Sequence, residues 1–297
     1  MVKEIAKAIR LKNLVILSII FLSIEFFLHY KVSLTEFNNL SLLAYLSIVF
    51  TGAAGYVIND FFDIKSDYIN KKKNKTLLPS NKLKSLYIFL SFLSIITACL
   101  YYKQTFFILS ISALIALYLY SWKLKHLPLI GNLIVALLAG LCPLIIYITH
   151  PEIEALISIL NPYEVVQLAI PFFYGCMSFL TTLIREIIKD IEDVDGDKAV
   201  NAKTAPVLFG EKYAKYLALF LLIIVSTLIL YTIVNYNSLQ LSKATLMGMI
   251  TLIFIPLSLV IIKTISSKEK KDFTKISHLL KFIFITSNVV LLIHTFS

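Results

Sequence analysis

Nine stretches of the chain, at 14–30, 41–62, 84–101, 105–121, 129–149, 168–190, 214–234, 244–263 and 277–296, are dominated by apolar residues and separated by polar, mostly basic segments. An α-helix needs about 20 apolar residues to cross the ~30 Å hydrocarbon layer of a membrane. The expected fold class is therefore all-α, a polytopic membrane protein with nine transmembrane helices. These spans fill most of the chain, so residues 1–297 are expected to form a single transmembrane domain with no soluble one.

Composition supports this pattern, since 58% of residues are hydrophobic, only 15% are charged and the mean hydropathy is +0.83. Lys3, Lys7, Arg10 and Lys12 ahead of an apolar run imitate a secretory signal, but no small-residue cleavage site follows Ser18 to His29. A cleaved leader is not expected. The net charge of +10 does not indicate nucleic acid, because the basic residues are scattered between apolar spans without an aromatic-interleaved groove sequence. With nine spans and an inside N-terminus, 25 of the 28 Lys and Arg fall in or beside the cytoplasm, leaving only Lys31, Lys103 and Lys243 outside. The expectation is an integral protein of the cell membrane with its N-terminus and active site cytoplasmic. Cys99, Cys142 and Cys176 lie within apolar spans without C-x-x-C spacing, and buried free thiols are expected.

The outer connections are short except at about 150–166, where Glu152 to Leu160 is expected to form an interfacial helix between His150-Pro151 and Asn161-Pro162. Two cytoplasmic connections are long, 63–83 and 191–213, and nearly all the informative chemistry lies there. The pattern D-x-x-D-x-x-x-D occurs at Asp60, Asp63 and Asp67 and again at Asp190, Asp193 and Asp197, with a constant offset of 130 residues. Each copy ends an even-numbered span, so both face one side of the membrane.

On a helix, Asn59, Asp63 and Asp67 make a stripe about 80° wide with Asp60 beside it, and Glu186, Asp190, Asp193 and Asp197 make a narrower one. Carboxylate rows this close repel one another unless cations neutralise them. Mg²⁺ suits such rows, because it prefers carboxylate and water oxygens completed by substrate phosphates. The bland alternative is that these are solvated acids capping helix ends. Two identically spaced clusters carrying six of the 18 acids argue against it, whereas Glu192 and Asp195 point off the stripe and fit the solvated reading.

Candidate cations for an anionic substrate are Arg185, Lys189, Lys203, Lys123, Lys125, Arg10 and Lys12, with Arg185 and Lys125 favoured because each abuts a span end. Lys71 to Lys73 and Lys268 to Lys271 read instead as contacts to anionic lipid headgroups. The five histidines have no i, i+4 pairing and no nearby acid row, so a histidine metal site or base has little support. Glu25, the one mid-span acid, reads as interfacial. No G-x-S-x-G, Walker-type or Rossmann glycine pattern appears.

At these residues the sequence resembles the UbiA superfamily of intramembrane prenyltransferases. The likeness includes Asn13, the run Asn59-Asp60-Phe61-Phe62-Asp63-Ile64-Lys65-Ser66-Asp67, Tyr120-Ser121-Trp122-Lys123-Leu124-Lys125 with Gly131-Asn132, and Lys203-Thr204-Ala205-Pro206. The second acidic motif, R-E-I-x-K-D-I-E-D-x-x-G-D from Arg185 to Asp197, is most similar to the branch that adds geranylgeranyl to geranylgeranylglyceryl phosphate. The resemblance implies a bundle around a lipid-opening cavity with a prenyl diphosphate and Mg²⁺, two ions, between the motifs. It implies that Asn59, Asp60, Asp63, Asp67, Asp190, Asp193 and Asp197 serve the metal. Asn13, Asn59, Lys125, Arg185 and Lys189 would face the diphosphate and Tyr120 the reacting region. The sequence departs from the family after Asn70, where three lysines lead to Lys75-Thr76-Leu77-Leu78-Pro79, a stretch that bears on acceptor identity.

The expected chemistry is diphosphate departure to leave an allylic carbocation, attacked by a lipid or aromatic acceptor in a water-poor cavity. A glyceryl ether phosphate would give an ether, and an aromatic acid of quinone, tocopherol or chlorophyll type a C–C bond. The alternative of another class is a cation transporter, disfavoured because the acids sit at span ends rather than mid-span.

Overall fold

The computed structural model describes residues 2–32, 39–69, 76–150, 153 and 160–297, the side chains of 39, 40 and 65–69 excepted. The elements are α1 (Val2–Ala8), α2 (Leu11–Val32), α3 (Asn39–Ile69), α4 (Ser80–Leu100), α5 (Gln104–Trp122), a 3₁₀ turn (Leu124–His126), α6 (Ile130–Leu144) and α7 (Ile146–Thr149). There follow α8 (Pro162–Leu168), α9 (Ile170–Ala199), α10 (Ala205–Phe209), α11 (Glu211–Val234), α12 (Lys243–Gly248), a π-helical turn (Met249–Phe254), α13 (Ile255–Ser266) and α14 (Lys270–Phe296). No strand occurs among the described residues. The interfacial helix expected from Glu152 to Leu160 lies almost wholly outside them.

Eight helices among the described residues are long and apolar enough to cross a membrane. The span expected at 129–149 is not a ninth of that length. It is α6, which ends at Leu144, followed by the one-turn α7. Pro143 lies inside α6, and a proline removes one backbone donor and crowds the carbonyl four residues earlier. That carbonyl, of Ala139, accepts instead from the Ser178 hydroxyl at 2.9 Å. Pro256 repeats the arrangement just after the π turn, where the Leu252 carbonyl accepts from Thr286 Oγ1 at 2.8 Å. In hydrocarbon an orphaned carbonyl has no water to turn to, and the carbonyls freed by Pro143 and Pro256 are each matched by a hydroxyl on a neighbouring helix.

The chain forms two compact units interleaved in sequence. The first comprises residues 1–21, 37–134 and 195–204. Its core is Ala8, Leu14, Ala53, Ala54, Val57, Leu83, Leu90 and Leu114, where α3 packs on α4 and α5. Buried hydroxyls tie these three helices, with Thr51 and Ser94 2.6 Å apart and Ser47 donating to the Ser94 carbonyl at 3.1 Å and to Ser110 Oγ of α5 at 3.3 Å. The small side chains of α3 permit this close approach.

The second unit comprises residues 22–36, 135–194 and 205–297. Gly140 of α6 and Gly175 of α9 face each other: a Cβ on either would come within 3.0 Å of the other's carbonyl oxygen. The helices therefore meet backbone to backbone, the geometry that small residues allow in membranes. Glu25, expected at the membrane interface, has a buried partner. It is 5% exposed and lies 2.7 Å from Nε2 of His150, itself 2% exposed. A histidine does have an acid partner, 125 residues away, because desolvation leaves a buried carboxylate little choice but a hydrogen-bonding partner. His294 Nε2 similarly lies 2.7 Å from Gln167 Oε1. All three cysteines are free, but only Cys142 is buried; Cys99 and Cys176 are exposed on helix surfaces. A membrane span turns apolar side chains outward as readily as inward, so position within a span does not imply burial.

Candidate active site

The first acidic motif occupies the end of α3. Asn59 and Asp63, one turn apart, form a cluster with Lys125. Lys125 Nζ donates to Asp63 Oδ1 at 2.5 Å and to Asn59 Oδ1 at 3.4 Å, while Asn59 Nδ2 donates to Asp63 Oδ2 at 2.8 Å. The Lys125 side chain is 9% exposed, so this ion pair is screened little by solvent. Two carboxylate oxygens and an amide oxygen are thus held beside an ammonium at a helix end.

Lys125 owes its place to the 3₁₀ turn after α5. Gly131 at the start of α6 packs against that turn: a Cβ there would lie 2.6 Å from Lys125 Cα and 3.1 Å from the Tyr120 ring. Any larger residue would push the lysine out. Beside it, burial holds the His126 imidazole below its ordinary pKa; the Lys125 charge lowers it further and Asp63 partly opposes them. His126 is thus a neutral neighbour, not a second cation.

Asp60, expected in the metal set, meets a different partner from Asn59 and Asp63. Consecutive residues are separated by about 100° around a helix, and this rotation turns Asp60 from Asn59 to the Arg10 guanidinium, whose Nη2 donates to Asp60 Oδ1 at 3.2 Å. The Asp60 side chain is 3% exposed, and Arg10 also lies over the Tyr56 ring at 4.9 Å. Arg10, expected among the substrate cations, is therefore engaged by the motif itself. Asp67's side chain lies outside the described residues.

The second motif runs along α9. Ile184, Ile187, Ile188, Ile191 and Val194 are fully buried at helical spacing, and Glu186, Asp190, Asp193 and Asp197 lie half-buried on the opposite side. Glu186 Oε1 accepts from both Lys189 Nζ at 2.7 Å and Arg185 Nη1 at 3.1 Å, so one carboxylate gathers two of the expected cations. Arg185 Nε is buried and has no hydrogen-bond partner among the described residues. A buried donor without a partner costs free energy that an anionic ligand would recover. Off the stripe, Asp195 is exposed as expected, whereas Glu192 accepts from Thr274 Oγ1 of α14 at 2.9 Å.

The end of α9 belongs to the first unit. There Asp197 Oδ2 accepts from Thr204 Oγ1 at 3.0 Å, and the Lys203 N–H donates to the His126 carbonyl at 2.7 Å. The segment that closes the second motif is thus bonded to the residue next to Lys125, the partner of the first. Thr204 was visible only as part of the Lys203-Thr204-Ala205-Pro206 run, and nothing in that run singles out its hydroxyl. Asn13 and Tyr120 are both half-buried in the first unit.

Among the described residues no three of His, Cys, Asp and Glu converge into a ready-made ion cage. The donors at hand, carboxylates and an amide oxygen without sulfur, fit a hard cation such as Mg²⁺, which binds through one or two carboxylates with water and substrate phosphates.

The sequence model of the UbiA prenyltransferase family matches residues 15–285. The chain belongs to that family. A UbiA-family relative, a digeranylgeranylglyceryl phosphate synthase of Methanobrevibacter smithii, is 38% identical over 209 residues, covering 66% of this chain and 69% of that protein. A solved structure described as giving insights into digeranylgeranylglyceryl phosphate synthase in membranes superposes over 99% of both chains, at TM-score 0.66 and 25% identity. The fold is also that of a UbiA homologue from Archaeoglobus fulgidus bound to GPP and Mg²⁺, at TM-score 0.51 and 16% identity over 97% of this chain and 99% of that one.

Proposed function

We propose that this membrane prenyltransferase moves a geranylgeranyl group from its diphosphate to geranylgeranylglyceryl phosphate, with Mg²⁺, in ether-lipid synthesis. The observation that carries the reading is the Asn59, Asp63 and Lys125 cluster, an oxygen-ligand set and a cation side by side at one helix end. Family membership and the name of the Methanobrevibacter smithii relative support the donor and acceptor, and the GPP and Mg²⁺ of the Archaeoglobus fulgidus homologue support the cofactor.

Asn59, Asp63, Asp67, Asp190, Asp193 and Asp197 would hold the ions. Bound Mg²⁺ supplies positive charge that offsets the diphosphate and eases its departure. Lys125, Arg185, Lys189 and Asn13 bind the phosphate oxygens and stabilise the charge that builds on them. The allylic C–O bond breaks with its electron pair leaving on the diphosphate. The acceptor hydroxyl oxygen then bonds to the allylic carbon and releases its proton. Tyr120 borders the reacting region, and the surrounding helices exclude water that would otherwise quench the cation. In this reading residues 1–297 act as a single transmembrane prenyltransferase domain, α6 with α7 supplies the ninth crossing, and both motifs open to the cytoplasmic face of the cell membrane.

Purified protein given Mg²⁺, labelled geranylgeranyl diphosphate and either geranylgeranylglyceryl phosphate or a hydroxybenzoate decides the matter. The expected product is the diether phosphate. A prenylated ring would reassign the acceptor, and no transfer together with cation flux in liposomes would overturn the enzyme reading.

A further inference from the structure

The seven-residue α1 is too short to hold its shape unaided, yet residues at both its ends reach distant parts of the first unit. Arg10, just after it, takes Asp60 at 3.2 Å and covers Tyr56. At the other end the Glu4 carboxylate accepts from the Leu77 N–H at 2.8 Å, and the Glu4 carbonyl accepts from Thr76 Oγ1 at 3.1 Å. Asp60 stands in the first motif, and Thr76 and Leu77 stand where the chain returns from the connection that follows it. Arg10 has a left-handed backbone, φ +49°, unusual for a residue with a side chain. Its carbonyl accepts from the N–H groups of Asn13 at 2.7 Å and Leu14 at 3.3 Å, which starts α2.

We infer that Asp60 is a positioning residue rather than an ion ligand: through Arg10 it fixes α1 as a strap across the first motif. The strap sets Asn13 at the head of α2 and anchors the exit of the motif connection at Thr76 and Leu77. The chemistry agrees with this division of labour. A carboxylate 3% exposed whose Oδ1 takes a guanidinium is poorly placed to trade ligands with a substrate-borne cation, whereas Asp63 is 19% exposed and its partners include an amide and the ammonium of a flexible lysine. The inference rests on the prenyl-transfer reading for its catalytic consequence, but not for its geometry.

The test uses the full chain in detergent or nanodiscs. In Asp60→Asn and Arg10→Gln, amide hydrogen exchange at Leu77 should quicken about tenfold, and so should it in Glu4→Gln, which leaves Asp60 and Arg10 untouched. In the two pair variants the KM for prenyl diphosphate should rise about tenfold with kcat within about twofold and the half-saturating Mg²⁺ concentration unchanged. The reversed pair R10D/D60R should recover most of both effects. Unchanged Leu77 exchange in Asp60→Asn would overturn the strap, and a raised Mg²⁺ requirement there would return Asp60 to the ion ligands. If the unaltered protein transfers no prenyl group, the functional reading fails while the exchange measurement still decides the strap.

Discussion

Replacing Lys125 with methionine keeps the length and packing of the stem and removes only the ammonium. Two effects follow, of different sign. The Lys125 Nζ contacts, 2.5 Å to Asp63 Oδ1 and 3.4 Å to Asn59 Oδ1, are charge-assisted and only slightly exposed. Losing them costs about 1.5–3 kcal/mol of local stability. With no ammonium to compete, however, the negative charge of Asp63 is less offset, and its attraction for a divalent cation rises. In turnover, a lost donor to developing charge typically costs about 3–4 kcal/mol, or roughly 10²–10³ in kcat. Lys125→Met should therefore lower kcat by about two to three orders of magnitude while lowering the half-saturating Mg²⁺ concentration. The assay is initial-rate transfer of labelled geranylgeranyl at varied Mg²⁺. An unchanged kcat would remove Lys125 from the diphosphate site, and a raised Mg²⁺ requirement would refute the competition between ammonium and metal.

Gly175→Ala puts a Cβ 2.8 Å from the Gly140 carbonyl and should cost about 1–3 kcal/mol, seen as a lower Tm in detergent. Ser178→Ala strips the donor from the carbonyl freed by Pro143 and should cost about 0.6–1.7 kcal/mol by denaturant titration, more than alanine at the exposed Thr227. The Leu77 hydrogen bond, followed by Lys7, holds the Glu4 carboxyl below its ordinary value of 4.5. Its folded form thus binds fewer protons than its unfolded one, so the tether is complete above pH 4.5 and is lost as pH falls through the lowered value. Leu77 amide exchange, corrected for its intrinsic pH dependence, should quicken over that fall, and Glu4→Gln should abolish the dependence.

What the sequence made legible was what is local. The long spans are visible because hydrocarbon demands unbroken apolar runs, and the acidic stripes because i, i+4 spacing stacks side chains on one helix face. Lys125 could be singled out because it abuts a span end, and the structure joins it to Asp63 and Asn59. The pairings that escaped join residues far apart in sequence: Arg10 with Asp60 across 50 positions, and Glu25 with His150 across 125. No local spacing encodes these, since each depends on which helices become neighbours. Asp60 is grouped with Asp63 because they share a motif, and i, i+3 spacing leaves them only about 60° apart on the helix; what separates them is the partner each meets, Arg10 for Asp60 and Lys125 for Asp63. The break after α6 was signalled by Pro143, but hydropathy averages over a proline and so counted one span where there are two pieces.

The central claim is that both acidic motifs grip one ion-bound diphosphate. Its most direct test is calorimetric titration of a non-reactive prenyl thiolodiphosphate into the unaltered protein, Asp63→Ala and Asp193→Ala, with and without Mg²⁺. Tight binding that needs Mg²⁺ and vanishes in both variants is the predicted result. Binding that survives the loss of either aspartate, or that ignores Mg²⁺, would contradict it.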